Sequence, residues 1–267
     1  MSKGPPTIAR AIRSALLTSG PAAKVFAARY VAREWRLGRL EFAFDVPMPD
    51  RPARPERPEL LAPRKMPRRS KAGSQGSRIA LWHALAHIEF VAIDLALDIV
   101  GRFGAGMKRD FADDFLSVAA DEAMHFALLD RKLRSLGSQY GALPAHGGLW
   151  QAAEEISHDV AARLAIVPMV LEARGLDVTP QTIEWVKSQG DCNGARILER
   201  ILDDEIRHVG FGTKHFIGHC EAAGITPQNL WQCLVKKHFR GAIKPPFNDS
   251  ARFAGGLSLD FYQSLAS

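Results

Sequence analysis

Two stretches of one shape constrain this chain more than anything else in it. Asp121-Glu122-Ala123-Met124-His125 and Asp204-Glu205-Ile206-Arg207-His208 each set a Glu and a His three residues apart. On a helix, positions i and i+3 share a face about one turn apart, so carboxylate and imidazole can reach one ion together. Each stretch also has a lone Glu 33 residues upstream, Glu89 before Glu122 and Glu172 before Glu205. Glu89 is flanked by Ile88, Phe90, Val91 and Ala92, and Glu172 by Val170, Leu171 and Ala173. A carboxylate in a buried apolar face is costly unless it is paired or binds a metal. Four such groups converging without cations would repel one another and take up protons. Four carboxylates and two histidines from four helices are the ligand set of a two-metal site in a four-helix bundle.

The predicted metal ligands are therefore Glu89, Glu122, His125, Glu172, Glu205 and His208. Glu89, Glu122 and His125 would hold one ion, and Glu172, Glu205 and His208 the other, with Glu122 and Glu205 as the candidate bridges. Mixed carboxylate and imidazole ligation suits iron, or manganese, or one of each, better than a structural zinc. Asp121 and Asp204 lie about 100° round the helix from their Glu neighbours. Each is read either as accepting a hydrogen bond from a ligand His on the opposing helix or as a solvated side chain. A single Glu-x-x-His is a weak signal. Glu155-Ile156-Ser157-His158 has the same spacing, yet lies fourteen residues before Glu172, about 21 Å along one helix, and is read as a decoy. His83 and His87 are read as packed or exposed, because His87 is about 200° round from Glu89. His215 and His219 rise away from the site.

Helical spacing runs through residues 7–40, broken at Gly20-Pro21, with Gly38 as the stop. Seven prolines between Pro47 and Pro67 forbid regular structure over 44–76. Arginines line that segment, and Leu60, Leu61 and Met66 give it apolar footholds, so an extended strap is expected. Core helices are predicted over about Ser77–Arg102, Asp110–Leu136 (Asp110 as N-cap), Leu149–Arg174 (kinked at Pro168 and stopped by Gly175) and from Asp191 to about Ala223. Thr179-Pro180 reads as the start of a short helix and Thr226-Pro227 as that of another. The tail from Lys244 reads as irregular. Three parts result: 1–76 with the N-terminal helices and strap, 77–240 with the bundle, and a tail over 241–267. The fold class is all-α.

No apolar run approaches the roughly 20 residues of a membrane span, and Met1 to Pro6 lack the order of a secretion signal. Three cysteines, odd in number and without zinc-motif spacing, agree with a cytoplasmic, reducing compartment. Charge is uneven. Residues 1–80 hold 17 Lys and Arg against 6 Asp and Glu, a net of +11; residues 81–267 hold 18 against 23, a net of −5. That contrast marks either a nucleic-acid surface, with residues 51–71 as its seat, or a solvated arm.

The chain resembles the ferritin-like superfamily and, within it, a bacterial family known mostly as a domain of unknown function. The matching stretches are His87-Ile88-Glu89 with Ala92 to Ala96, Asp121 to Phe126, Pro168 to Pro180, Asp204 to Val209, Lys244-Pro245-Pro246-Phe247-Asn248 and the Pro/Arg-rich strap. The resemblance implies the fold and the same six ligands, and it implies no substrate. The leading functional expectation is an oxidase or monooxygenase that activates dioxygen at two reduced ions with an electron donor. Hydroxylation of a tRNA base is one special case. Iron handling as a ferroxidase is an alternative, against which the long extensions weigh, since a storage shell uses a shorter bundle. A metal-free helical interaction protein is another, and it leaves the Glu set unexplained. A radical-generating subunit needs a tyrosine near the metals, and Tyr30, Tyr140 and Tyr262 all lie off the predicted ligand helices. A monomer or small homo-oligomer is expected.

Overall fold

The computed structural model describes residues 6–66 and 73–266. The readings made above on Met1–Pro5, Pro67, Arg68, Arg69 and Lys71 fall outside them. The described residues form eleven α-helices and no strand, only three isolated bridges. None of the helices is long and apolar enough to cross a membrane. The chain divides into two compact units, Met1–Trp150 and Gln151–Ser267.

In the first unit, α1 (Ile8–Leu16) and α2 (Pro21–Arg36) form a hairpin. The helix α3 (Gln75–Phe103) starts at Ser74, whose hydroxyl accepts from the Ser77 amide at 3.2 Å. Every residue of α3 from Glu89 to Gly101 is buried, as its all-round apolar pattern predicts. Its long partner is α4 (Arg109–Ser135), and α2 packs on α4. The predicted N-cap Asp110 is instead a first-turn residue. Lys108 holds the cap position without a side-chain bond, and Asp110 still suits the positive end of the helix dipole.

The described part of the Pro/Arg segment is a strap along α1 and α3. The Ala53 amide donates to the Leu16 carbonyl at 2.9 Å, and Arg102 Nη2 donates to the Pro49 carbonyl at 2.9 Å. The strap sits so close to α3 that a Cβ at Gly101 would collide with Met48 and one at Gly104 with Phe44. Lys24 ties three pieces together. Its Nζ donates to the Leu16 carbonyl (3.2 Å), the Ala53 carbonyl (3.0 Å) and Asp94 Oδ1 (2.5 Å), and both Lys24 and Asp94 are fully buried.

In the second unit the predicted helix over 149–174 is not one helix. It is α5 (Gly148–Glu155), a turn, α6 (Val160–Ile166) and a π-helical segment, Val167–Glu172. Asp159 caps α6, accepting from the Ala162 amide at 3.0 Å. Pro168 has no N–H with which to continue the α ladder, and a π turn absorbs the gap. Directly after it, α7 (Ala173–Ser188) runs through Gly175, the predicted stop, and through Thr179-Pro180, the predicted new start. The physical reason is long-range. Pro180 cannot donate to the Leu176 carbonyl, and Asn248 Nδ2 donates to it instead, at 3.2 Å. The helix α8 (Cys192–Ala223) begins at Asp191, which accepts from the Gly194 amide at 2.9 Å, and ends at Gly224 with φ +67°, as expected. It is followed by α9 (Pro227–His238).

The tail predicted as irregular folds into α10 (Asp249–Ala254) and α11 (Leu259–Tyr262). Arg252 fixes it on α7 by donating to both oxygens of buried Asp177, at 2.8 and 2.7 Å. The Asn248 amide adds a bond to Asp177 at 3.0 Å, and Arg174 Nη1 reaches the Lys244 carbonyl at 2.8 Å.

Candidate metal centre

Three predicted ligands meet in the first unit. Glu89 comes from the middle of α3, and Glu122 and His125 come from adjacent turns of α4. His125 Nδ1 lies 3.4 Å from Glu89 Oε2 and 3.4 Å from Glu122 Oε2. One ligand atom from each of the three lies within 4.8 Å of the others, the spread one metal ion can span. All three are buried, and His125 is wholly inaccessible. The i, i+3 phase on α4 does what helix geometry requires of it, and the α3–α4 pairing supplies the third group.

The electrostatics suit a cation. Burial drives the Glu89 pKa well above the usual carboxylate range, and the neighbouring Glu122 charge drives it further. Burial alone would lower His125, but hydrogen bonding and charge from Glu122 and Glu89 outweigh it and hold its pKa at about 11. Without a metal, the cluster therefore favours a protonated Glu89 carboxyl and a protonated imidazole beside Glu122. A bound metal ion would take the place of those protons.

The second unit holds the matching residues. On α8, His208 Nδ1 lies 3.6 Å from Glu205 Oε1, with His208 buried and Glu205 12% exposed. Glu172 is the last residue of the π segment, which packs on α8. Pro168 of that segment lies against Gly212, one turn beyond His208, so closely that a Cβ there would collide with the proline ring. Such π turns recur where a side chain must be re-aimed at a functional site.

Asp204 is buried and accepts from two arginines of its own helix, Arg200 Nε at 2.8 Å and Arg207 Nη2 at 3.1 Å. Asp121 is half-buried on α4. The Glu155–His158 spacing is a decoy for a different reason than its distance along one helix. The helix ends at Glu155, so the two residues share no helical face.

His83 and His87 are both buried and act on the 137–147 loop. His83 Nε2 accepts from the Gly141 and Leu143 amides at 3.0 and 3.4 Å. His87 Nε2 donates to the His146 carbonyl at 3.2 Å, which leaves Nδ1 to accept the Tyr140 hydroxyl at 2.9 Å. Burial, with the Arg54 charge, lowers the His87 pKa to about 4, so it is neutral in this role. The Tyr140 ring packs on Phe126 (centroids 5.0 Å) and Phe90 (5.3 Å), the sequence neighbours of His125 and Glu89. Sequence reasoning sets Tyr140 aside because it lies off the ligand helices. It reaches this layer from a loop, and no local pattern around it signals that.

Fold and site together define an all-helical protein with a buried Glu/His cluster able to hold a metal. The chain belongs to the family described as "Protein of unknown function (DUF455)", which matches residues 17–263. An uncharacterized protein of Haemophilus influenzae is 39% identical over 224 residues, covering 82% of this chain and 77% of that one. No solved structure matches.

Proposed function

We propose that this chain is a ferritin-like, dimetal-carboxylate oxidoreductase that uses dioxygen and an electron donor to oxidise or hydroxylate a substrate. The observation that carries the reading is the buried Glu89, Glu122 and His125 cluster, with its mutually repelling carboxylates and retained protons. Glu172, Glu205 and His208 repeat the same residue types at the same 33-residue spacing. Glu89, Glu122 and His125 would hold one ion and Glu172, Glu205 and His208 the other.

When bound, two iron or manganese ions supply the redox chemistry with dioxygen. The chain supplies the rest. His125 gives up a proton on metal uptake, and its Nδ1 is the atom that faces both carboxylates. The four carboxylates neutralise the ions, so the centre enters an apolar core with little net charge. Phe90, Ala86, Ala119, Ala123 and Phe126, all at most 2% exposed, exclude water, which strengthens every charge interaction inside.

Elemental analysis of protein purified without chelator tests this, with Glu122→Ala and Glu205→Ala beside the wild type. About two iron or manganese per chain, the complement of such bundle sites, and loss in both variants are expected. Wild-type protein that stays metal-free after anaerobic reconstitution overturns the reading. Dioxygen consumption coupled only to ferrous ion, whatever organic substrate is offered, would favour iron handling instead.

A further inference from the structure

Part of the basic excess of residues 1–80 has a structured seat on α2. Its inner face, with Val25, Ala28, Val31 and Trp35, is buried. All its exposed large side chains fall on the opposite side, within an arc of about 120°. Phe26 is 74% exposed, Tyr30 57% and Leu37, the C-cap residue, 48%. Arg29, Arg33 and Arg36 are exposed along the same arc, on the edge beside the rings. The arc carries no carboxylate. Glu34, the single acid of α2, is buried and takes Arg39 at 3.4 Å and Arg33 at 3.7 Å. By contrast, Arg54 and Arg102, which border the strap, are spent on Asp94 and Asp98 of α3.

We infer that this face of α2 binds single-stranded nucleic acid, with Phe26 and Tyr30 stacking on bases and Arg29, Arg33 and Arg36 holding phosphates. The spacing fits. Phe26 and Tyr30 are four residues apart, about 6 Å along the axis. That is close to twice the roughly 3.4 Å rise of a stacked strand, the opening a base step needs to admit a ring. Arg29 and Arg33 repeat the same interval. Aromatic rings beside a row of guanidinium groups are the working parts of strand-binding grooves that read no sequence. A membrane fits less well. An interfacial helix buries a broad apolar face in the lipid, and the apolar face of α2 is already spent on the protein, leaving two rings hemmed by arginines. This inference does not rest on the metal site.

The test is fluorescence anisotropy of the full-length protein with a labelled uridine homopolymer of about 20 nucleotides, a length that spans several strand sites. Phe26→Ala and Tyr30→Ala are each expected to weaken binding by about tenfold. Arg29→Gln, Arg33→Gln and Arg36→Gln together are expected to lower the slope of log affinity against log salt by about 2. Tyr30→Phe is expected to bind as the wild type does. Metal content is expected to be unchanged in all of them, so failure here is distinct from failure of the metal reading. No wild-type binding, or binding that the ring variants leave intact, overturns the inference. So does ring-dependent sedimentation with phosphatidylcholine–phosphatidylglycerol vesicles without oligonucleotide binding, which would assign the face to a membrane. A dimer that dissociates in the ring variants, again without oligonucleotide binding, would assign it to a second copy and equally overturn it.

Discussion

Removing Lys24 alone is expected to damage this protein more than removing Lys24 and Asp94 together. The pair is fully buried, and Lys24 is bonded to the Leu16 carbonyl, the Ala53 carbonyl and Asp94. Burial raises the Asp94 pKa from 3.8 to about 6, even with Lys24 and Arg54 pulling it down. Holding Asp94 ionised near neutral pH therefore costs the fold about 3 kcal/mol. In Lys24→Met, Asp94 keeps only the weaker help of Arg54, 3.8 Å away, and both carbonyls lose their donor. The expected loss is about 3–5 kcal/mol near pH 7. A Lys24→Met/Asp94→Leu double variant is expected to recover most of it, because neither fully buried charge of the pair is left without its partner.

The pH dependence has a definite sign. A carboxylate whose folded pKa lies above its unfolded value is penalised as pH rises through the folded pKa, and the penalty is absent below the unfolded one. In Lys24→Met the folded pKa of Asp94 moves further up. The part of the gap due to this charge is therefore expected to shrink as pH falls from 7 toward about 6 and to be largely gone by pH 5. Urea unfolding of both proteins near pH 5 and pH 7 reads this directly. A single-variant loss under about 1 kcal/mol near pH 7, or a gap that does not narrow on acidification, would refute the buried-charge argument.

Gly212→Ala is expected to destabilise the second unit by about 1–3 kcal/mol, because its methyl meets the Pro168 ring. It is also expected to lower metal content by displacing the segment that ends on Glu172, an effect read by elemental analysis of the folded variant. His87 contributes stability in the opposite pH sense to Asp94. Its folded pKa, about 4, lies below the ordinary histidine value of 6.5, so its contribution is complete above about pH 6.5 and is lost as pH falls toward 4. The difference in acid sensitivity between wild type and His87→Gln is expected to reach about 3 kcal/mol over that window, measured by unfolding curves. Equal sensitivity would show that His87 is not the buried neutral group described.

What the sequence determined by itself is what helix geometry determines locally. The i, i+3 phase of Glu122 and His125, and of Glu205 and His208, follows from 3.6 residues per turn and needs no partner helix. The Asp191 cap, the Gly224 stop and the break at Gly20-Pro21 are equally local, set by the residue's own dihedrals or its neighbours' free amides. The strap follows from proline content.

The tertiary structure decided whatever depends on a group distant in sequence. Thr179-Pro180 reads as a helix start because proline breaks the ladder, yet α7 runs on because Asn248, 72 residues away from Leu176, takes the orphaned carbonyl. Pro168 reads as a kink; the Gly212 notch on α8 gives its ring a seat and accompanies the π turn that ends on Glu172. Lys24 and Asp94 are 70 residues apart, and nothing in either local pattern announces a buried ion pair. Tyr140 lies in a Gly-rich loop and reaches His87 and the two phenylalanines only because His83 and His87 hold that loop on α3. The reason is common to all four. A backbone or charge left unsatisfied by its own segment has several possible remedies, and only packing selects the partner that supplies one.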